Sequence, residues 1–138
     1  MAKKQIYITD SDIKRLSELI KVAREFGKED EIYLRDLEEE LNRSKVVESK
    51  AIPENIITMN SKIRIRNLDT NEEMIFQLVF PEDADSSQEK ISILAPIGTA
   101  VIGYKTDDII EWKIPVGLAR LKIEEILYQP EAAGDYHL

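Results

Sequence analysis

The spacing of apolar residues changes near residue 50, and this change most constrains what the chain can fold into. Before that point apolar residues recur every three or four positions, which is the spacing of one face of a helix. Beyond it every second residue is apolar in several segments, as in a strand with one buried face. We therefore predict an α+β fold, with a helical part in residues 1–50 and a sheet domain in residues 51–138.

Two helices joined by a short break are predicted in the first part. The first covers residues 9–26, where Thr9 or Asp10 can cap the free amides and Gly27 can end the helix. The second covers residues 30–43. The break is so short that the two helices must form an antiparallel hairpin, a short coiled coil. At 1.5 Å per residue, helices of about 15 residues extend only roughly 22 to 25 Å.

The second part is predicted to be a mostly antiparallel sheet with at most one short helix. Residues 44–55 lack a sustained period and are interpreted as a linker. The expected strands are residues 62–66, 74–80, 90–94, 109–114 and 118–128. Trp112 alternates with apolar neighbours, so we expect it to pack in the core, and Tyr104 and Tyr128 likewise.

Composition excludes several classes of protein. The 138 residues carry a formal net charge of -8, which disfavours direct binding to nucleic acid or to an anionic membrane. The chain has no cysteine, which excludes disulfides and thiolate metal sites and fits a reducing compartment. The first residues turn polar too soon for a signal peptide or a membrane span. We expect a cytoplasmic protein.

The residues required for common enzyme chemistry are missing from the sequence. The single histidine, His137, lies beside the last residue, where it has no evident partner to orient it. A serine nucleophile would therefore lack a well-placed base, and no glycine-rich phosphate loop is present. We predict a protein that is not an enzyme and that needs no cofactor.

Three adjacent carboxylates, Glu29, Asp30 and Glu31, fall at the predicted turn between the helices. Carboxylates held together there could bind a hard cation such as Mg²⁺. They are equally compatible with an ordinary solvated turn in which acidic residues favour the start of the second helix. The sequence leaves both interpretations open.

The stretch ISILAPIGTAVIGY, residues 91–104, is almost entirely apolar but is interrupted by proline and glycine. Together with the following residues it resembles the signature of the C-terminal domain of the Gre transcript cleavage factors. A proline, an apolar and a small residue are followed by an Ile-Gly step, an acidic pair, an apolar strand and a Pro-x-Gly turn. The matching residues are Pro96, Ile97, Ala100, Ile102, Gly103, Asp107, Asp108, Ile109, Trp112, Pro115 and Gly117.

The form PIGTA, together with ITDSDIKRL near the start, is similar to the Rnk branch of that family, named for regulation of nucleoside diphosphate kinase. The resemblance implies an FKBP-like sheet domain that binds RNA polymerase at the rim of its secondary channel. It implies association with DNA only through the polymerase. The implied contact residues are Leu94, Ala95, Pro96 and Ile97; Ala95 replaces the usual serine of the family.

The length of the hairpin bears on transcript cleavage. Gre factors stimulate cleavage by bringing carboxylates at the hairpin tip to the metal in the polymerase active site, which requires placement within about an ångström. Hairpins of that family are about twice as long as the one predicted here. We therefore predict a regulator that occupies the channel entrance without stimulating cleavage and that can compete with Gre factors.

Two other interpretations stay open at this point. FKBP-like folds include peptidyl-prolyl isomerases, whose pockets are lined by aromatic residues. This chain has three Phe, five Tyr and one Trp, most of them assigned to strands and helix faces, which leaves few for such a pocket. A direct action on nucleoside diphosphate kinase is the other interpretation, although no residue pattern indicates a nucleotide site. The sequence does not decide whether the protein self-associates.

Overall fold

A computed structural model describes residues 5–26, 31–114 and 117–136. Two helices, α1 (Asp10–Phe26) and α2 (Glu31–Arg43), pack on each other and are here called the helical arm. Near the end of α1, Arg24 forms an ion pair of 2.9 Å with Glu38, in the middle of α2. Two short strands flank the arm, β1 (Tyr7–Thr9) and β2 (Lys45–Val47), and they pair in parallel.

The start of α1 is fixed by a side-chain cap. The hydroxyl oxygen of Thr9 accepts a hydrogen bond of 3.0 Å from the backbone amide of Asp12, which has no partner inside the helix. Asp10, the other predicted cap, also contributes, because its carboxylate accepts from the backbone amide of Ser11 over 2.8 Å. The helices have 17 and 13 residues, which corresponds to about 25 and 20 Å.

The sheet domain contains a five-stranded sheet. Its strands are β3 (Lys62–Asn67), β4 (Glu73–Val79), β5 (Lys90–Ser92), β6 (Ile109–Ile114) and β7 (Gly117–Tyr128). Their order is β5-β4-β3-β7-β6, and all neighbours are antiparallel except β4 and β5, which are parallel. Two short helices complete the fold, α3 (Pro96–Val101) after β5 and α4 (Pro130–Ala133) after β7.

One continuous apolar core joins the helical arm to the sheet domain. Leu16 and Leu37 of the arm are fully buried in the same cluster as Ile63 and Ile65 of β3. The base of the arm is therefore part of the core, and only its outer portion can project. The division of the chain at residue 50 stays a prediction.

The predicted strands and the short helix after β5 are confirmed, but the predicted linker is not a featureless one. Residues 45–47 form β2, and residues 49–51 form one turn of 3₁₀ helix. β1 was also not predicted, and the expectation of at most one short helix in the sheet domain is wrong, because α4 follows β7 in addition to α3. A three-residue strand is held by backbone hydrogen bonds and is too short to show a period in its side chains, so sequence patterns do not reveal it.

Of the helices that the structure describes, none has the length and apolar character needed to cross a membrane.

The aromatic residues lie mostly as expected. Tyr104 is buried in the core, and Trp112 is half-buried and packs against it. Tyr128 is half-buried but has a polar role, because its hydroxyl donates a hydrogen bond to Asp135. That bond raises the pKa of Tyr128 to about 12.

Candidate protein-interaction site

Residues 94–97, here called the proline loop, comprise the end of the connection from β5 and the first two residues of α3, and hydrogen bonds hold them in place. The amide of Ala95 donates to the carbonyl of Ser92 over 3.0 Å, and the amide of Leu94 donates to the Ser92 hydroxyl over 3.0 Å. The hydroxyl of Thr99 reaches back to the carbonyl of Ile93 over 2.7 Å. These bonds fix the loop at both ends.

The helix α3 lies close to the end of β5. Pro96 begins α3, where its fixed φ suits a helix start and its missing N–H is not needed. A methyl group added to Gly98 would lie 2.5 Å from the carbonyl oxygen of Ser92. Glycine is therefore required at this position, because any side chain would push α3 off the sheet.

The structure divides the four predicted contact residues by exposure. Pro96 is exposed, and Leu94 and Ala95 are half-buried. Ile97 is only 6% exposed and belongs to the core, so it supports the loop from below and is unavailable to a partner without unfolding. The assignment of the loop to a partner stays a prediction, with Pro96 as its accessible centre.

The predicted acidic tip lies largely outside the described residues. Glu29 and Asp30 fall there, and Glu31 is the first residue of α2. Within residues 5–26, 31–114 and 117–136, no group of three or more His, Asp or Glu side chains is arranged to hold a metal ion. His137 is also outside the described residues.

A junction between the arm and the sheet domain was not predicted from the sequence. Gly103, with φ of 82°, donates its amide to the carbonyl of Ile57 over 2.9 Å and accepts from the amide of Tyr7 over 3.1 Å. The buried carboxylate of Asp12 accepts from the amide of Met59 over 3.0 Å. The only signal in the sequence is the Thr9-x-x-Asp12 spacing, which is typical of a helix start but does not indicate a contact 47 residues away.

Burial raises the pKa of Asp12 to about 6 from 3.8, more than the Met59 amide lowers it. The folded state therefore holds this proton more tightly than the unfolded state, so the contribution of Asp12 to stability is greatest below pH 3.8 and falls as the pH rises through 6. The total loss is about 3 kcal/mol, since each pKa unit corresponds to about 1.4 kcal/mol.

Replacing Asp12 with asparagine is expected to raise the free energy of unfolding at pH 7.5 by about 2 kcal/mol, because the amide oxygen still accepts from Met59 without a buried charge. Urea unfolding at pH 7.5 and 4.5 measures this, and the gain should shrink at the lower pH. Asp10→Asn is the matched control on the same turn, since hydrogen bonding to Ser49 lowers the pKa of Asp10 and it should give no gain. A less stable Asp12→Asn protein at pH 7.5 would contradict this interpretation.

A groove of about 590 Å³ runs between α1 and the end of β4. It is lined by Lys14, Arg15, Glu18, Leu19, Phe80, Pro81 and Glu82. The guanidinium group of Arg15 lies 4.1 Å from the centre of the Phe80 ring. Charges of both signs surround the groove, so its electrostatics favour no particular partner.

Family comparisons define the class of protein. Residues 52–128 match the family model described as "Transcription elongation factor, GreA/GreB, C-term", and residues 4–47 match the one described as "Rnk N-terminus". The chain therefore belongs to the GreA/GreB family of transcription elongation factors, in the branch with an Rnk N-terminal part. The resemblance found in the sequence is confirmed.

Individual relatives agree with this membership. The chain is 36% identical to the "Regulator of nucleoside diphosphate kinase" of Escherichia coli K12, over 100% of both proteins. It is 32% identical to "Transcription elongation factor GreA" of Acetivibrio thermocellus, covering 82% of this chain and 80% of that protein. A solved structure, "Prokaryotic transcription elongation factor GreA/GreB from Nitrosomonas europaea", is 41% identical, with a TM-score of 0.72 over 91% of this chain and 100% of that one. The chain is thus related to transcription elongation factors and regulators.

Proposed function

We propose that this protein binds RNA polymerase at the rim of its secondary channel through the proline loop, and that it regulates elongation without stimulating transcript cleavage. It competes there with Gre factors that have longer arms. The protein reaches DNA only through the polymerase and acts in the cytoplasm. The observation that carries the proposal is the shortness of the arm, with 17 and 13 residues in its two helices.

Exposure and rigidity make the proline loop the best candidate for the contact. Pro96 presents an apolar ring to solvent, while Leu94 and Ala95 leave part of their surface accessible beside it. The hydrogen bonds to Ser92 and Ile93 hold the loop in one conformation, so binding would require little ordering of the backbone. A partly apolar, pre-formed surface of this kind suits a protein partner.

The arm supports the absence of cleavage activity. Its longer helix extends about 25 Å, and the base of both helices is buried in the core. Cleavage would require carboxylates at the tip to meet the metal of the polymerase within about an ångström. An arm about half the length of a Gre hairpin would stop about 20 Å short of that metal, whatever the chemistry of Glu29 and Asp30.

The alternative of a prolyl isomerase receives no support from the relatives described above, which are named as regulators or transcription factors. The name of the Escherichia coli relative points to nucleoside diphosphate kinase. No feature of the described residues favours a direct action on that enzyme over an effect on its expression.

Replacing Pro96 with aspartate is expected to weaken binding to core RNA polymerase about tenfold or more while the protein stays folded. The reason is that the new carboxylate would be desolvated at the centre of the contact, whereas in the unbound protein it would simply face water. Binding can be measured by fluorescence anisotropy of the labelled protein, with circular dichroism to monitor folding.

Pro53→Asp is the matched control, because Pro53 is also exposed but lies on the loop beside Gln129, whose side chain donates to the Pro53 carbonyl over 2.8 Å. It should bind polymerase as the unmodified protein does. If Pro96→Asp binds with unchanged affinity, the proline loop is not the contact.

A further inference from the structure

Three segments that are distant in the sequence meet around one buried carboxylate. Asp12 of α1 is 3% exposed and accepts from the amide of Met59. The hydroxyl of Thr58, the neighbouring residue, donates to the carboxylate of Glu131 over 2.7 Å and lies 2.9 Å from the hydroxyl of Ser61. The helical arm, the segment before β3 and the end of the chain are therefore connected at this point.

The last segment is held by buried Pro130 and by polar contacts, among them the hydrogen bond from Tyr128 to Asp135 and a contact of Lys50 with the ring of Tyr136. Residues 129–136, here called the C-terminal strap, comprise α4 and the residues on either side of it. The side-chain amide of Gln129 donates to the carbonyls of Pro53 and Ile56, each over 2.8 Å, and Glu131 accepts from Thr58. The single turn of α4 ends at Gly134. So short a segment can leave the core without disrupting the sheet.

The charges around Asp12 make closure of the strap sensitive to protons. Within the part of the chain that the structure describes, the charged side chains that act on Asp12 are Arg15 on its own helix and Glu131 on the strap. The other neighbours, Thr9 and the Met59 amide, are uncharged. Closing the strap brings Glu131 towards an ionised Asp12, which is unfavourable because Asp12 is buried.

We propose that the C-terminal strap is a proton-sensitive element, which stays closed over Thr58 and Ser61 when the carboxyl group of Asp12 is protonated and opens more often when that group is ionised. The proposal stands apart from polymerase binding. Opening would expose the hydroxyl groups of Thr58 and Ser61, both at most 1% exposed when the strap is closed.

Linkage sets the size of the expected effect. Burial raises the pKa of Asp12 to about 6, whereas its ordinary value is 3.8. A proton that binds the closed form more tightly must favour that form, so the equilibrium constant for opening rises with pH. If opening fully hydrates Asp12, the constant rises roughly tenfold between pH 5 and pH 7.5.

Native-state thiol labelling of the full chain tests the proposal. The sequence has no cysteine, so Ser61→Cys introduces a unique buried thiol that is nearly isosteric with serine. Its reaction with dithiodipyridine, corrected for the pH dependence of a free thiol, gives the open fraction. Ala119→Cys, on β7 and 3% exposed, reports global unfolding for comparison.

The Ser61→Cys protein is expected to be labelled faster than the Ala119→Cys protein, and its labelling should accelerate up to about tenfold from pH 5 to pH 7.5. Adding Asp12→Asn should abolish the acceleration, and adding Glu131→Gln should reduce it. Equal labelling rates of the two thiols would overturn the proposal, since opening would then be global unfolding. An acceleration that persists with Asp12→Asn would also overturn it.

If Ser61→Cys does not fold, exchange of the Gln129 side-chain amide protons in the unmodified chain can be measured by NMR instead. These protons bond the strap to the carbonyls of Pro53 and Ile56, so they exchange when the strap opens. After correction for intrinsic exchange, opening should rise up to about tenfold over the same pH range. No dependence on pH would overturn the proposal.

Discussion

Replacing Ile97 with aspartate should lower the free energy of unfolding by about 4 kcal/mol or more, the largest effect expected of any single change in the proline loop. Ile97 is 6% exposed and packs in the core below that loop. The change removes the burial of an apolar side chain and leaves a carboxylate without a partner. Against a typical total stability of about 5 to 15 kcal/mol, a substantial unfolded fraction is expected.

Urea unfolding followed by the fluorescence of Trp112, the only tryptophan, measures this loss. Ile97→Val is the control and should cost about 1 kcal/mol, because it removes a single methyl group. Pro96→Asp, one position earlier in an exposed site, should cost little. An Ile97→Asp protein that unfolds at the same urea concentration as the unmodified chain would show that Ile97 is not a core residue.

Replacing Gly103 with alanine is expected to cost about 3 kcal/mol, the second largest effect. At φ of 82° any other residue is strained, and an added methyl group would lie 2.8 Å from the Cβ atom of Ile6 and 3.0 Å from the carbonyl oxygen of Tyr7. The clash would separate β1 from the backbone of Gly103. This would weaken the attachment of the arm to the sheet domain.

Gly134→Ala separates the two contributions to that cost. Gly134 has the same φ of 82°, but no atom lies within 4 Å of the position of an added methyl group. The Gly134→Ala protein should therefore lose only the part of the free energy of unfolding that comes from backbone strain, about 1 kcal/mol. Thermal or urea unfolding of both proteins gives the difference. Equal losses at the two positions would mean that the junction at Gly103 relaxes without cost.

Regular elements and family were predictable from the sequence because each has a local signal. Repeats of three and four residues predicted α1 and α2, alternation predicted β3, β4, β6 and β7, and the residues from Pro96 to Gly117 identified the family. The length of the arm follows from these signals alone, since helix length depends only on residue count.

The way the parts join was not predictable. Asp12 is separated from Met59 by 47 residues, and Thr58 from Glu131 by 73, and no local pattern records either contact. Asp12 is one of two acidic residues in the first turn of α1, a position where acidic side chains suit the helix dipole and are usually exposed to solvent. Ile97 shows the same limit, because the motif around Pro96 identified the loop without distinguishing which of its side chains faces the core.

We propose that the protein occupies the polymerase channel entrance with an arm too short to reach the catalytic metal. Cleavage of the transcript in stalled, backtracked elongation complexes tests it most directly, with a Gre factor and this protein added separately and together. We predict no acceleration by this protein alone, and a progressive loss of Gre-stimulated cleavage as its concentration rises, with Pro96→Asp inhibiting far less. Acceleration by the protein alone, or Gre-stimulated cleavage that is unaffected by a large excess of it, would contradict the proposed function.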